Sequence, residues 1–181
     1  AELSVTRAEK ECLLDDSNPF FVRDLGKCVL CGMCVRVCHQ VRGVGAIEIL
    51  NRGFASIVAP FDGQSIAEST CESCGACVDI CPVGALWSRN ETLLPTQEVK
   101  TVCPYCGCGC MLVLGTRGGR IVSVRGDHST HNQGQLCVKG RFGLEFVHSP
   151  DRLTTPLIRK NGELREVTWD EAYDLIVERV G

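Results

Sequence analysis

KCVLCGMCVRVCH, residues 27–39, sets Cys28, Cys31, Cys34 and Cys38 at the steps C-x2-C-x2-C-x3-C. TCESCGACVDICP, residues 70–82, repeats those steps with Cys71, Cys74, Cys77 and Cys81. This spacing holds cubane iron–sulfur clusters. Three thiolates two residues apart let one tight turn wrap three corners of a cube, and the next turn carries the fourth thiolate away. Zinc ribbons use pairs of C-x2-C, so a third cysteine at the same step has no place in a tetrahedral site. Disulfides need an oxidising compartment, and neighbours this crowded make poor unstrained bridges.

The two runs resemble those of two-cluster ferredoxins, in which the fourth cysteine of each run serves the other cluster. The expected sets are therefore Cys28, Cys31, Cys34 and Cys81 on one [4Fe–4S] cluster, and Cys71, Cys74, Cys77 and Cys38 on a second. Pro82 after Cys81 matches the ferredoxin ending. His39 stands where the first run would carry proline, and it reads as a hydrogen-bonding neighbour rather than an iron ligand. Between the runs, Ala46–Leu50 and Phe54–Ala59 read as strands around Asn51-Arg52-Gly53. Ser65-Ile66-Ala67-Glu68 has the capping-box pattern that opens a helical turn.

A third pattern follows, from TVCPYCGCGC (101–110) to GQLCVKGRFG (134–143). Cys103, Cys106, Cys110 and Cys137 spell C-x2-C-x3-C-x26-C, three ligands from one loop and the fourth after a long excursion. Cys108 is a rival, but its single-residue step from Cys106 is tight for one cube, so it reads as a spare thiol. Met111–Thr116 and Arg120–Arg125 form a hairpin pattern around Gly118-Gly119. Gly126–Gln135 is a polar loop, in which His128 and His131 carry no assignment. Gly140–His148 suits a helix. Farther on, Leu157–Arg159 and Glu163–Val167 flank Asn161-Gly162 as a second hairpin. Thr168-Trp169-Asp170-Glu171 caps a helix through Val180, with Ala172, Leu175, Ile176 and Arg179 near one face.

The remaining composition sets limits. The chain has 181 residues, 19 basic and 22 acidic, for a formal charge of -3, so no nucleic-acid-binding surface is advertised. Only 6% of residues are aromatic, whereas 14 are cysteine. Metal clusters anchor a fold that apolar burial alone would leave marginal. No apolar window of about 18 residues exists, which excludes a spanning helix. AELSVTRAEKECLLDD, residues 1–16, lacks an apolar secretory segment and a twin-arginine signal, so a cytoplasmic protein is expected. A short helix is expected around Thr6–Leu14, with Cys12 a small apolar residue rather than a ligand. Phe20, Phe21 and Val22 are expected to pack on the cluster domain.

TVCPYCGCGC, GQLCVKGRFG and PLIRKNGELREVTWDEAYDLI (156–176) together resemble the opening of molybdenum or tungsten bis-pterin oxidoreductases, above all formate dehydrogenase catalytic subunits. DDSNPFFVRDLGKCVLCGMCVRVCHQVRGVGAIEI (15–49) through CVDICPVGAL (77–86) is similar to the two-cluster segment of NAD-linked formate dehydrogenase alpha subunits, with kin in hydrogenase diaphorase subunits and in complex I. The resemblance implies an α+β fold: a ferredoxin-like 2[4Fe–4S] domain at 26–98 after a lead-in at 1–25, then a small strand-rich [4Fe–4S] domain of the molybdopterin oxidoreductase type at 99–154, then the start of a pterin-binding domain at 155–181.

It also implies roles. Cys103, Cys106, Cys110 and Cys137 would hold the cluster nearest the pterin, and Lys139, two residues after Cys137, would lie between the two. No catalytic residue of the family falls within this sequence, and Cys108 replaces its usual small apolar residue. The function implied is electron transfer through three [4Fe–4S] clusters, between a catalytic centre and a flavin/NAD(P) or ferredoxin module. The expected partners are a flavin/NAD(P) diaphorase, a hydrogenase or a formate dehydrogenase catalytic part. The alternative is the N-terminal part of a complete formate dehydrogenase catalytic subunit, with molybdopterin bound only by a further domain. That alternative is favoured by a chain ending inside a helix pattern.

Overall fold

The computed structural model describes residues 14–91 and 93–180, so the helix expected from Thr6 and the reading of Cys12 lie outside the described residues. Two compact units result, 1–144 and 145–181. The first begins with β1 (Leu14–Asp15) and β2 (Phe21–Asp24), which pair antiparallel with each other. The far side of β2 pairs with β5 (Leu86–Ser88), in register Phe21 with Ser88 and Arg23 with Leu86. Neither β2 nor β5 is evident in the sequence. Each has only three or four residues, and they meet across the whole cysteine-bearing segment, with no turn signal to join them.

The hairpin expected between the runs forms as β3 (Glu48–Leu50) and β4 (Ile57–Ala59), trimmed by a helical turn at Gly53–Ala55. Ser65 and Glu68 make the capping box, the Ser65 hydroxyl lying 2.7 Å from the Glu68 carboxylate. Phe21, Ile47, Val58, Ile66 and Leu86 form the core, with Cys34 buried among them and Cys28, Cys38, Cys71, Cys77 and Cys81 packed against it. The thiols are thus part of the core itself. Arg23 crosses this core with its side chain only 6% exposed. It donates to the Val58 carbonyl at 2.6 Å and to Asp15 at 2.9 Å, which satisfies most of a charge that would otherwise be costly to bury.

β6 (Gln97–Val102), β7 (Met111–Arg117) and β8 (Arg120–Gly126) make an antiparallel sheet in that order. The β7–β8 hairpin matches expectation. β6 has no separate signal in the sequence, because its mostly exposed residues QEVKTV alternate too weakly to stand out from a loop. Leu112, Val124, Leu136 and Leu144 bury this sheet's inner face around Cys103.

The single helix expected over Gly140–His148 is instead two pieces. One is a helical stretch at Val138–Phe142, and the other a tighter turn at Leu144–His148. Gly143 caps the first piece: its N–H donates to the Lys139 carbonyl at 2.9 Å, while its own carbonyl accepts the Tyr105 hydroxyl.

The second unit holds a hairpin, Leu157–Lys160 with Glu163–Glu166, turning at Asn161-Gly162. Its helix, Trp169–Val180, starts with a reciprocal cap. Thr168 N–H donates to Glu171 at 3.1 Å and Glu171 N–H to the Thr168 hydroxyl at 3.2 Å.

Candidate metal centres

The repeat in the sequence is a repeat in backbone conformation. Leu30 and Ser73, two residues after each leading cysteine, have φ of 57° and 53°. Gly32 and Gly75 both have φ of 71°, a left-handed value that suits glycine. Each glycine opens one helical turn, α1 (Met33–Arg36) or α2 (Ala76–Asp79), and those turns carry Cys34 and Cys77 inward. The curled loops aim backbone N–H groups at sulfur. Leu30 donates to Cys28 Sγ and Ser73 to Cys71 Sγ, both at 3.4 Å. Ala46 N–H donates to Cys38 Sγ at 3.3 Å.

After α1 the helix widens at Val37–Val41, with Arg42 N–H reaching back five residues to the Val37 carbonyl. That turn swings Cys38 away from its own run. One cavity is lined by Cys38, Cys71, Cys74 and Cys77, and another by Cys28, Cys31, Cys34 and Cys81. Leu86 and Arg23 line both, so the cavities share a wall. Their empty volumes are similar, about 460 and 430 Å³, each including part of its open mouth. Among the described residues, no His, Cys, Asp and Glu side chains gather into a group able to hold a single metal ion.

Electrostatics in these cavities favours the neutral thiol unless a cation is bound. Burial pushes the Cys34 thiol up to about 11, and the neighbouring Cys28, Cys31 and Cys81 add like-charge repulsion. Burial first, and then Cys71, Cys74, Cys34 and Cys38, drive Cys77 far above the usual thiol range. Cys71 is also raised, again mainly by burial. Four thiolates around one cavity become tolerable only with positive charge among them, and an iron–sulfur core meets that demand.

The third set is built differently. Cys103 follows β6 and Cys110 precedes β7, and Cys103 N–H donates to the Cys110 carbonyl at 2.8 Å. Cys137 sits at the start of the helix 138–142 (α3), so the polar loop returns it to the others. Asn132, which nothing in the sequence singles out, ties that return. It accepts from Met111 N–H at 3.0 Å and donates to the Met111 and Gln135 carbonyls at 3.2 and 3.1 Å.

Cys110 is raised by burial and then by Cys103, Cys106 and Cys137. The spare thiol Cys108 is raised by a hydrogen bond with Cys106, then by the charges of Cys106, Cys110 and Cys137. All five thiols therefore belong to one neighbourhood, and Cys106, Cys108 and Cys137 are exposed. His131 Nε2 lies 3.1 Å from the Cys108 carbonyl. Lys139, in α3, is exposed, its ammonium 5.9 Å from the centre of the Tyr105 ring in the cysteine loop. His39 faces the Glu48 carboxylate, the hydrogen-bonding role expected of it.

Family models match this geometry in three segments. Residues 27–85 match the 4Fe-4S dicluster domain, 96–149 the molybdopterin oxidoreductase Fe4S4 domain, and 152–181 the molybdopterin oxidoreductase family. A dicluster domain is joined here to an Fe4S4 domain. Both are iron–sulfur domains of redox proteins, as the cysteine spacing led us to expect.

Among curated relatives, a NADH-quinone oxidoreductase component of Rhizobium meliloti is 41% identical over 91% of this chain and 20% of its own length. The alpha chain of the NADPH-Fe(3+) oxidoreductase of Geobacter sulfurreducens is 40% identical over 78% of this chain and 17% of its own length. A formate dehydrogenase-like protein of Staphylococcus haemolyticus is 33% identical over 89% of this chain and 21% of its own length. The chain thus spans about a fifth of the relatives it matches. No described helix is long and apolar enough to cross a membrane.

Proposed function

We propose that the chain is an electron-transfer module holding three [4Fe–4S] clusters. One is held by Cys28, Cys31, Cys34 and Cys81, a second by Cys71, Cys74, Cys77 and Cys38, and a third by Cys103, Cys106, Cys110 and Cys137. Such clusters, when bound, each accept and release one electron without making or breaking a substrate bond. The protein's own part is to supply thiolates, to direct N–H groups at sulfur, and to keep the centres close behind apolar walls. The observation that carries this reading is the pair of four-thiol cavities with a common wall, each cavity taking its fourth cysteine from the other run.

Within a larger assembly the relay would connect a catalytic centre, of the formate dehydrogenase or hydrogenase kind, with a flavin/NAD(P) or ferredoxin module. The names of the relatives, quinone- and iron-reducing NAD(P)H oxidoreductases among them, support that setting. Lys139 would stand between the third cluster and a pterin supplied by further sequence. The domain limits we adopt are 26–98, 99–154 and 155–181, after a lead-in at 1–25, and the compartment is the cytoplasm. A second reading, favoured by the small share of each relative covered, is the N-terminal part of a complete molybdenum or tungsten formate dehydrogenase subunit. The mass of the intact natural polypeptide separates the two.

Anaerobic reconstitution tests the relay. Three cubes require roughly twelve irons and as many acid-labile sulfides per chain, with three reducible centres by low-temperature EPR. Zinc in place of iron, or no reducible centre, would end the proposal. The ligand set of the third cluster has its own check. Cys110→Ser should remove about a third of the iron, whereas Cys108→Ser should leave it intact, and the opposite result would exchange their roles.

A further inference from the structure

The two runs repeat each other's cysteine steps and left-handed turns, which makes their one charge reversal conspicuous. In the first run Arg36 donates from its guanidinium to the Cys31 carbonyl at 3.2 Å. It lies over Gly32, where an added Cβ would stand 3.0 Å from Arg36 Nη1. The equivalent of Arg36 in the second run is Asp79, which cannot do the same. Yet a guanidinium is there. Arg141, from α3 of the Fe4S4 domain, donates through Nε to the Cys74 carbonyl at 3.1 Å. It covers Gly75, where an added Cβ would stand 2.3 Å from Arg141 Cδ and 2.7 Å from the Phe142 ring. Asp79 grips its two terminal nitrogens at 3.4 Å each. The Arg141 side chain is 4% exposed, and a charge so buried is costly unless it is paired and hydrogen-bonded.

α3 reaches both thiol sets with consecutive residues. A Cβ on Gly140 would lie 3.7 Å from Cys103 Sγ, and Arg141 touches Cys74. Phe142 stacks on Phe20 with ring centres 5.2 Å apart and planes inclined by 13°.

We propose that Arg141 is a positioning residue of the relay, taking from the Fe4S4 domain the place that Arg36 takes within the first run. In doing so it locks α3 onto the Cys74–Gly75 turn. This inference rests on the three-cluster reading above. The arginine fixes the separation between the centre of Cys38, Cys71, Cys74 and Cys77 and that of Cys103, Cys106, Cys110 and Cys137. It also sets a permanent positive charge beside the former, which favours its reduced state. Asp79 offsets part of that field, so fixing the distance is the larger effect. The substitution of Asp79 for a second Arg36 thus leaves the second run dependent on its neighbour for a feature the first run makes alone.

The test compares cluster-loaded wild type with Arg141→Gln, Arg141→Lys and the pair Asp79→Arg with Arg141→Ala. Each is assayed for iron content, for spin–spin coupling between reduced centres by EPR, and for midpoint potentials. Arg141→Gln should keep its iron, lose the coupling between the second and third centres, and move the second centre to a more negative potential. Arg141→Lys should restore part of both. The paired variant, which returns an arginine to the repeat's own position, should recover the potential but not the coupling. Iron, coupling and potential all unchanged in Arg141→Gln would overturn the proposal while leaving the relay standing. If Arg141→Gln sheds iron, the paired variant decides, since coupling retained there overturns it and coupling lost supports it. A wild type that binds no iron would instead sink the relay reading itself.

Discussion

The dicluster domain and the Fe4S4 domain solve one problem, gathering thiols, in opposite ways. The first has strands of two to four residues and short helices, and six of its eight cysteines lie in or against a core with Phe21, Val58 and Leu86. The second has a three-stranded sheet with its own buried leucines; Cys103 is buried among them and Cys110 packs against them, while Cys106, Cys108 and Cys137 are exposed. In one most of the thiols belong to the core; in the other three of the five stand outside it. The dicluster domain should therefore depend on its clusters to fold, whereas the Fe4S4 domain should depend on its sheet.

The largest effect should come from Cys34→Ser. Cys34 is buried, neighbours Cys28, Cys31 and Cys81, and also lies near Cys77 across the shared wall. Its loss should remove a cluster and collapse the dicluster domain, because metal-binding free energy there is folding free energy. Cys110→Ser in the Fe4S4 domain should cost its cluster while the sheet persists. Iron analysis together with protease resistance of the two halves distinguishes these outcomes. An intact dicluster domain in Cys34→Ser would break the contrast.

The seam between the domains gives the next effect. Gly32 and Gly75 share φ of 71°, so alanine at either meets left-handed strain of about 1–2 kcal/mol. At Gly32 the Cβ meets only the far end of a flexible arginine, 3.0 Å away. At Gly75 it would drive into Arg141 and Phe142, adding about 1–3 kcal/mol of overpacking. Gly75→Ala should therefore lower the urea midpoint clearly more than Gly32→Ala. Equal losses would mean that α3 does not press on the second run.

The contrast also governs what could be read in advance. Iron–sulfur chemistry was legible because ligand spacing is local and cube geometry is rigid. The β7–β8 hairpin and both capping boxes were legible because Gly118-Gly119, Ser65-x-x-Glu68 and Thr168-x-x-Glu171 act within a few residues. Arg23, Asn132 and Arg141 were not, since each finds its partners through tertiary packing. Arg141 and Asp79 lie 62 residues apart, and no periodicity marks either. The β2–β5 pair failed for the same reason. Cys108 and Cys110 compete in the sequence because one loop brings both into the same thiol neighbourhood.

The smallest effect belongs to the polar rim of the Fe4S4 domain, where the site leans on hydrogen bonds rather than burial. The Lys100 ammonium stands 2.7 Å from the Asp127 carboxylate, which also accepts from the Ser129 hydroxyl at 2.7 Å and its N–H at 2.9 Å. Lys100 first, and Ser129 next, hold the Asp127 carboxyl far below the usual carboxylate range. A group depressed in the folded state adds stability above its unfolded value, near pH 4, and that contribution fades as pH falls toward the folded value. Lys100→Met should thus lower the urea midpoint of the Fe4S4 domain at about pH 7, and the deficit should shrink below about pH 4. The dicluster domain, whose thiols respond to iron rather than to this pair, should show no such pH-dependent difference. A deficit that stayed constant across the acid range would mean that Lys100 acts through packing, and that the rim owes nothing to its charge.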